Sequence, residues 1–273
     1  PVCRAEGVWD MKAILMAAGM GSRIATKTNE PKCLLDIGNG PLIRHTVELL
    51  LQNHIEVCIA LGFKGDLIRE ALRAYPVTFY ENPFYKVTNS IASLWFSREQ
   101  LTGSEDLLLA NADVFWQQDI LDLLLANPQD IVLLADSSRR LSGDYFFHCE
   151  NGLLKDYGKD MPSALRTSEY VGIAKIRKSE ITCFRKQMER LIAEGDYQLW
   201  WENTLYSMIG FKQIPVQDIA GHYWSEIDVL QDYENILQYV RTHPCLLHTE
   251  SSAVLQEAGS EAKQLKLYDH KVL

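Results

Sequence analysis

The sequence predicts an α/β protein with a parallel β-sheet covered by helices on both faces; the alternation of its elements leads to this fold class, and two further observations describe its organisation. Short apolar runs typical of buried strands alternate with segments whose apolar residues recur at helical spacing. An Asn-Gly pair at 151–152 lies between two alternating runs and indicates a hairpin. No Pro/Gly/Ser-rich linker marks off a second domain. In such sheets, ligands bind beyond the carboxyl ends of the strands.

The predicted elements follow one another from residue 11 to about residue 242. Apolar runs place strands at 13–17, 56–61, 77–80, 106–112, 130–135, 169–176, 212–216 and 221–227. Helical spacing places helices at 41–53, 66–74, 90–101, 119–125, 178–193 and 229–240. We interpret about 137–176 as a substrate-side insert within one domain of residues 11–242. Residues 1–10 are an N-terminal extension, and residues 243–273 are a C-terminal tail that is a helix, a dimer arm or a linker stub.

Composition and charge exclude several classes of partner. Apolar residues make up 47% and charged residues 23% of the chain, as in a soluble globular enzyme. A formal net charge of -9 argues against nucleic acid or an anionic membrane as a partner. The six cysteines show no metal-ligand spacing and read as reduced thiols. We find no membrane-spanning run and no signal peptide, and we therefore expect a cytoplasmic protein.

A glycine-containing loop follows the first predicted strand and organises the prediction of function. The run from residue 18 to residue 23 reads AGMGSR, and small residues allow successive backbone N–H groups to surround an anion. Arg23 and Lys32 supply two cations for a polyphosphate held there. The loop is neither a P-loop nor a dinucleotide fingerprint, because GKS, GKT and GxGxxG are absent. The alternative is an ordinary glycine turn with a solvated Lys32.

Residues 12–35 resemble the nucleotidyltransferase signature LAAGxGxR followed by PKxLL. Residues 82–95 resemble the NPF(Y)xxTNxxSLW segment of bacterial choline-phosphate cytidylyltransferases, and residues 224–233 resemble the WxEIDxxxDY element of the same family. The resemblance covers roughly residues 11 to 240. It implies a Rossmann-like, three-layer α/β nucleotidyltransferase fold with a mixed, mostly parallel sheet. It also implies transfer of a nucleotidyl group from a nucleoside triphosphate to a phosphate or phosphonate, with loss of pyrophosphate.

Two aspartates are candidate ligands for Mg²⁺. Asp113 follows the apolar run 106–112, so we expect its carboxylate at the carboxyl end of a central strand, where a metal would be held. The alternative for Asp113 is a turn aspartate that bonds to its own backbone. Asp228 precedes a predicted helix and is equally plausible as its N-cap, but the resemblance implies that it completes the metal site. Asn111 stands where relatives often have a further aspartate, so the expected metal site has one acidic ligand fewer.

The resemblance also implies roles for residues around the loop. Lys32 is expected to bridge the α-phosphate and the acceptor phosphate, and Arg23 to stabilise the departing pyrophosphate. Asn89 and Ser90 either contact the nucleotide or merely cap the helix that follows. The residues expected to bind the nucleotide are Ala17, Ala18, Gly19, Gly21, Ser22, Glu81, Asn89 and Ser90.

The acceptor is expected to be small. Trp200 and Trp201 suit the quaternary ammonium of phosphocholine through cation–π contact, although tandem aromatics are more often core. An unmethylated amine, as in 2-aminoethylphosphonate, would instead require a carboxylate, and the chain offers Glu169 among others. Lys159 is a candidate ligand for the acceptor phosphate, or else a solvated loop lysine.

The leading hypothesis is therefore a Mg²⁺-dependent cytidylyltransferase that uses CTP and a small phosphorylated or phosphonate acceptor, either as a monomer or as a homodimer. One alternative is a sugar-1-phosphate nucleotidyltransferase, which the short acceptor region disfavours. Another is a non-catalytic nucleotide-sensing protein on the same fold. The two aspartates, with Arg23 and Lys32, argue against that last alternative.

Overall fold

The computed structural model describes residues 11–21 and 30–243. Within them, nine strands form one sheet, of which seven lie side by side in the order β10-β6-β9-β4-β1-β2-β3. β9 runs antiparallel to both of its neighbours, whereas the other pairs in this series are parallel. The strands are β1 (Met11–Ala17), β2 (Glu56–Leu61), β3 (Val77–Glu81), β4 (Asp106–Asn111), β5 (Val114–Phe115), β6 (Ile131–Asp136), β7 (Phe146–Glu150), β8 (Leu153–Gly158), β9 (Ser168–Ile176), β10 (Val216–Asp218) and β11 (Ser225–Glu226). The predicted mixed, mostly parallel sheet is confirmed.

Helices cover both faces of this sheet, and each face has its own cluster of buried apolar side chains. The helices are α1 (Leu42–Gln52), α2 (Gly65–Ala71), α3 (Ser90–Phe96), α4 (Gln118–Ala126), α5 (Lys178–Ala193), α6 (Asn203–Tyr206) and α7 (Leu230–Thr242). A third, smaller cluster packs α7 against β5 and α1. Because β1 and β4 are buried on both faces, they read as continuous apolar runs and not as alternating ones.

The strand order reverses direction at β1, and this reversal positions the site. From β1 the chain goes to β2 and β3 on one side, and β4 is then added on the other side of β1. Met16 is paired with Asn111, and the backbone N–H of Ala112 donates to the carbonyl of Met16 at 3.1 Å. The segments that follow β1 and β4 therefore leave the sheet side by side, at the point where open α/β sheets bind ligands.

The hairpin predicted at Asn151-Gly152 is present between β7 and β8, and both turn residues have positive φ, 51° and 73°. The segment interpreted as an insert contributes a central strand to the sheet, because its last strand, β9, lies between β4 and β6. Its antiparallel direction brings the 137–168 segment to the same edge as the carboxyl ends of β1 and β4.

Two predicted strands differ from the structure. The strand expected at 212–216 lies instead at Val216–Asp218, because Pro215 has no N–H to donate to a ladder and makes an isolated bridge with Leu153. The strand expected at 221–227 is reduced to Ser225–Glu226, which pairs with β5 away from the main sheet. Among the described residues, no helix is long and apolar enough to cross a membrane.

Candidate active site

Lys32, Asp113 and Asp228 meet at the carboxyl edge of the sheet. Lys32 Nζ lies 2.6 Å from Asp228 Oδ1 and 3.4 Å from Asp113 Oδ2. Lys32 begins a short 3-10 turn after Pro31, and Asp113 lies in the tight connection between β4 and β5. Residues separated by up to 196 positions in sequence thus form one ion-pair triad.

Gly21, in the predicted phosphate loop, packs directly on the lysine stem. Its φ is +57°, and a Cβ added there would lie 2.9 Å from Lys32 Cγ. A side chain at this position would have to displace Lys32 from its carboxylate partners. The glycine is therefore required both by backbone conformation and by the close approach of Lys32.

The charges of the triad are strongly coupled. Burial disfavours the Lys32 ammonium, but the carboxylates of Asp113, Asp228 and Glu226 outweigh this effect and raise the pKa of Lys32. Burial also raises the pKa of Asp113, an effect that Lys32 opposes and Asp228 reinforces. Lys32 is consequently a permanent cation, with side-chain exposure of 11%, in an otherwise acidic site.

Asp228 is held in place by β11 and by the start of α7. The backbone N–H of Ile227 donates to the carbonyl of Asp113 at 2.9 Å, which ties the two aspartates together. The alternative that Asp228 is the N-cap of α7 is wrong, because the N-cap is Val229. The cap is completed by Asp232, whose carboxylate accepts the N–H groups of Asp228 and Val229 at 2.9 and 2.8 Å. The carboxylate of Asp228 is thereby left to face Lys32.

Glu226 is a site residue that the sequence reasoning did not single out. Burial, together with the nearby charges of Asp113 and Asp228, raises the pKa of Glu226 well above its usual value. Glu226 precedes Asp228 by two positions, and in an extended segment such residues share a face. This spacing is the signal by which Glu226 could have been found.

A cavity of about 170 Å³ opens beside the triad, and we call it the inner cavity. Its walls include Ala18 and Gly19 from the loop after β1, and Asn89 and Ser90 at the start of α3. Its lining residues are Met16, Ala18, Gly19, Asn82, Tyr85, Thr88, Asn89, Ser90, Ser93, Asn111, Asp113, Trp200 and Glu226. Four residues predicted to bind the nucleotide thus surround one cavity next to the candidate metal ligands.

The remaining predicted nucleotide residues lie elsewhere. Ala17 is buried at the end of β1, directly before the lining residues. Glu81 does not line the inner cavity, since its side chain is 61% exposed and pairs with Arg69 at 3.6 Å. Its neighbour Asn82 lines the cavity instead, because successive residues of a strand end face opposite sides. Ser22 and Arg23 lie outside the described residues.

The side chains of Asn89 and Ser90 both have structural partners. Asn89 is the N-cap of α3 and accepts the N–H of Ser90 at 2.8 Å. Ser90 Oγ accepts the N–H of Trp201 at 2.9 Å, and the N–H of Asn89 donates to the carbonyl of Tyr197. The capping alternative is therefore confirmed for Asn89. The same bonds dock the 197–201 segment against the inner cavity.

The tandem tryptophans have opposite environments. Trp200 is 38% exposed, lines the inner cavity and meets Tyr145 edge-to-face at 5.4 Å. Trp201, in contrast to the prediction of an acceptor contact, is fully buried among core side chains. Lys159 Nζ lies 5.5 Å from the centre of the Trp200 ring and 2.6 Å from Asp144 Oδ2. Of the two tryptophans, Trp200 is therefore the one whose ring is available to a ligand.

A second cavity, the outer cleft, has a volume of about 760 Å³ and shares Glu226 with the inner cavity. Glu169 lines it and accepts the N–H of Asp144 at 2.9 Å. Burial raises the pKa of Glu169 to about 6. Arg139 also lines the cleft and lies over the Trp224 ring at 4.2 Å.

The donor atoms around Lys32 fit magnesium. Asp113 and Asp228 direct carboxylate oxygens at one ammonium, and such oxygens are the ligands that Mg²⁺ prefers. Within 11–21 and 30–243, no group of three or more His, Cys, Asp or Glu side chains is arranged to hold a metal ion. A magnesium ion bound by these two aspartates would complete its coordination with water or substrate oxygens.

Comparison with protein-family models places these residues in context. The model of the MobA-like NTP transferase domain matches residues 13–272, which includes the glycine loop, Lys32 and both aspartates. The chain belongs to this family. In this MobA-like NTP transferase domain, the triad and the inner cavity therefore lie in a nucleotidyltransferase fold.

Two curated relatives align over most of the domain. One is the CTP:phosphoglutamine cytidylyltransferase of Campylobacter jejuni, 24% identical over 82% of this chain and 98% of that protein. The other is the choline-phosphate cytidylyltransferase of Streptococcus pneumoniae, 24% identical over 85% of this chain and 99% of that protein. A solved structure of CTP:phosphocholine cytidylyltransferase from Streptococcus pneumoniae superposes with a TM-score of 0.70 at 21% identity, covering 85% of this chain and 99% of that one. The predicted nucleotidyltransferase fold is thereby confirmed.

Proposed function

We propose that this protein is a Mg²⁺-dependent cytidylyltransferase that transfers CMP from CTP to a small phosphorylated or phosphonate acceptor. The observation that carries the proposal is the convergence of Lys32, Asp113 and Asp228 beside Ala18 and Gly19. The choice of CTP is supported by the relatives, since both are cytidylyltransferases whose names specify a phosphorylated acceptor.

The residues suit this chemistry without a general base. The second pKa of a phosphate monoester is about 6, so the acceptor is already largely ionised at neutral pH. One of its oxygens forms a bond to the α-phosphorus of CTP, the bond from that phosphorus to the α,β-bridging oxygen breaks, and pyrophosphate leaves. The protein must therefore position two anions and offset their mutual repulsion.

Lys32 is the central residue in this proposal. Its ammonium stays charged because carboxylates surround it, and we assign it to the α-phosphate and the acceptor phosphate. Bound to Asp113 and Asp228, Mg²⁺ would neutralise negative charge on the α-phosphate. We assign Arg23 to the pyrophosphate, as the sequence predicts.

The surroundings of Trp200 support the proposal of an acceptor that carries a cationic group. Its ring is half-exposed, and the Lys159 ammonium already lies over it. A cationic group of the acceptor could take that place and make the same cation–π contact. We therefore keep phosphocholine and 2-aminoethylphosphonate as the acceptors to test first. Cytoplasmic location and the homodimer stay predictions.

The test is pyrophosphate release in the presence of Mg²⁺, with each of CTP, UTP, GTP and ATP against phosphocholine, 2-aminoethylphosphonate and glucose-1-phosphate. We expect turnover with CTP and one of the first two acceptors. Turnover confined to the sugar phosphate would establish a sugar-1-phosphate nucleotidyltransferase instead. Nucleotide binding with no turnover for any pair would favour a sensor.

A lysine variant tests the central residue. Lys32→Met should lower kcat by roughly 100-fold or more, because the developing charge loses its fixed cation. The matched control is Lys186→Met on the exposed face of α5, which should keep full activity. Equal activity in both variants would remove Lys32 from the mechanism.

A further inference from the structure

Asn111, the last residue of β4, has an amide group whose orientation is determined by its neighbours. The indole Nε1 of the buried Trp201 donates to Asn111 Oδ1 at 2.9 Å. An indole N–H can only donate, so the oxygen of the amide must face Trp201. The amide nitrogen therefore faces the opposite way, and Asn111 Nδ2 donates one hydrogen to Glu202 Oε1 at 3.4 Å.

The second amide hydrogen has no acceptor among the described residues, and the side chain borders the inner cavity. Gly172 on β9 makes room for the amide, since a Cβ added there would lie 2.9 Å from Asn111 Nδ2. The fold thus holds a hydrogen-bond donor rigidly at the wall of the cavity. A donor fixed in this way needs no reorientation when a ligand oxygen arrives.

The position of Asn111 indicates which ligand it meets. Asn111 ends β4, and Asp113 follows it by two residues in the tight connection to β5, so the amide and the candidate metal ligand line the same cavity. Both hydrogen-bond partners of the amide, Trp201 and Glu202, directly follow Trp200, whose ring lines the same cavity and is the aromatic surface proposed for the acceptor. Ala18 and Gly19, which are expected to bind the nucleotide, line this cavity from the loop after β1.

We propose that Asn111 donates its uncommitted amide hydrogen to a phosphoryl oxygen of the acceptor and is a specificity-determining residue for an anionic group at this point. This inference rests on the proposed cytidylyl transfer. A carboxylate at this position would have no hydrogen to donate, and it would add negative charge beside Asp113 and Glu226.

The test compares Asn111→Asp with the wild-type protein and with a matched control, Asn53→Asp. The carboxylate introduced by Asn111→Asp would keep an oxygen for the Trp201 indole, but both amide donors would be lost. Asn53 lies at the C-terminal end of α1, where its amide donates to the carbonyl of Leu49 at 2.8 Å. Two readouts are needed: the separate KM values for CTP and acceptor, and calorimetric titration of phosphocholine and 2-aminoethylphosphonate into each protein.

Asn111→Asp should weaken acceptor binding and raise the acceptor KM about 10- to 100-fold, the range for losing a hydrogen bond to a charged oxygen. The KM for CTP should not change, and Asn53→Asp should match the wild type in both values. Unchanged acceptor binding in Asn111→Asp, or an equal rise in the KM for CTP, would overturn the inference while cytidylyl transfer stood. A wild-type protein that neither binds nor converts either acceptor would overturn the proposed function and the inference with it.

Discussion

Replacing Glu202 by Gln should change how the stability of the protein depends on pH. The Glu202 carboxyl is fully enclosed: Oε1 accepts from Asn111, and Oε2 has no hydrogen-bond partner among the described residues. Burial raises the pKa of Glu202 from 4.5 to about 8. At neutral pH the folded protein therefore keeps this carboxyl protonated, whereas the unfolded chain ionises it.

The sign and size of the effect follow from proton linkage. A raised pKa in the folded state contributes stability that is fully present below pH 4.5 and is lost as the pH rises towards about 8. Each pH unit inside this window changes the free energy of unfolding by about 1.4 kcal/mol. Between about pH 5.5 and a pH above 8, ionisation of Glu202 alone should therefore lower the free energy of unfolding by about 3 kcal/mol, to within a factor of two. The amide introduced by Glu202→Gln does not titrate, so the variant should lack this contribution to the pH dependence of the free energy of unfolding.

The assay is urea unfolding of the wild type and Glu202→Gln at about pH 5.5 and about pH 8.5. The difference between the two pH dependences reports the titration of Glu202 together with its charge effect on neighbours such as Glu226, because titrating groups remote from Glu202 act equally in both proteins. The control is Glu70→Gln, whose exposed side chain pairs with Arg73 at the surface and should follow the wild type. An identical pH dependence in wild type and Glu202→Gln would refute the reasoning.

Three other variants address neighbouring contacts. Asp113→Asn should abolish turnover, by roughly 100-fold or more, because it loses a carboxylate proposed to hold Mg²⁺. Circular dichroism should show an intact fold, and full activity would remove the metal assignment. Trp224→Phe should lower the free energy of unfolding by about 1–3 kcal/mol, since the buried Asp136 loses the indole donor at 2.9 Å; denaturant titration that shows no change would contradict this. Gly172→Ala should destabilise the protein by at least about 1 kcal/mol in thermal or urea unfolding, because its φ of +85° disfavours a side chain and the new Cβ would press on Asn111; an unaltered stability would contradict the packing argument.

The residues that sequence reasoning placed well are those whose position follows from local rules. Asp113 follows a central strand, as expected, because a short apolar run bounded by polar residues is typical of a buried strand. Gly19 and Gly21 mark the turn after β1 for the same local reason, and Lys32 follows Pro31 at a fixed distance along the chain. Such features depend on a few neighbouring residues, and the sequence displays them directly.

The residues that sequence reasoning misplaced depend on long-range packing. Trp200 and Trp201 are adjacent, yet one lines the cavity and the other fills the core. The two different environments result from the contact of this segment with Ser90, which is more than a hundred positions away in the sequence. Glu81 and Asn82 are also adjacent, but they face opposite sides at the end of the strand, so Glu81 is exposed and Asn82 lines the inner cavity.

The α/β class, the strand ends that carry the site and the chemical types of its cation and carboxylates all follow from local sequence patterns. Long-range packing, in contrast, makes Asp228 face Lys32 instead of capping α7, and brings Glu226 beside it. The physical reason is the pairing of β11 with β5, in which Ile227 donates to the carbonyl of Asp113. That register sets the faces of Glu226 and Asp228, and no local preference of the residues around them specifies it.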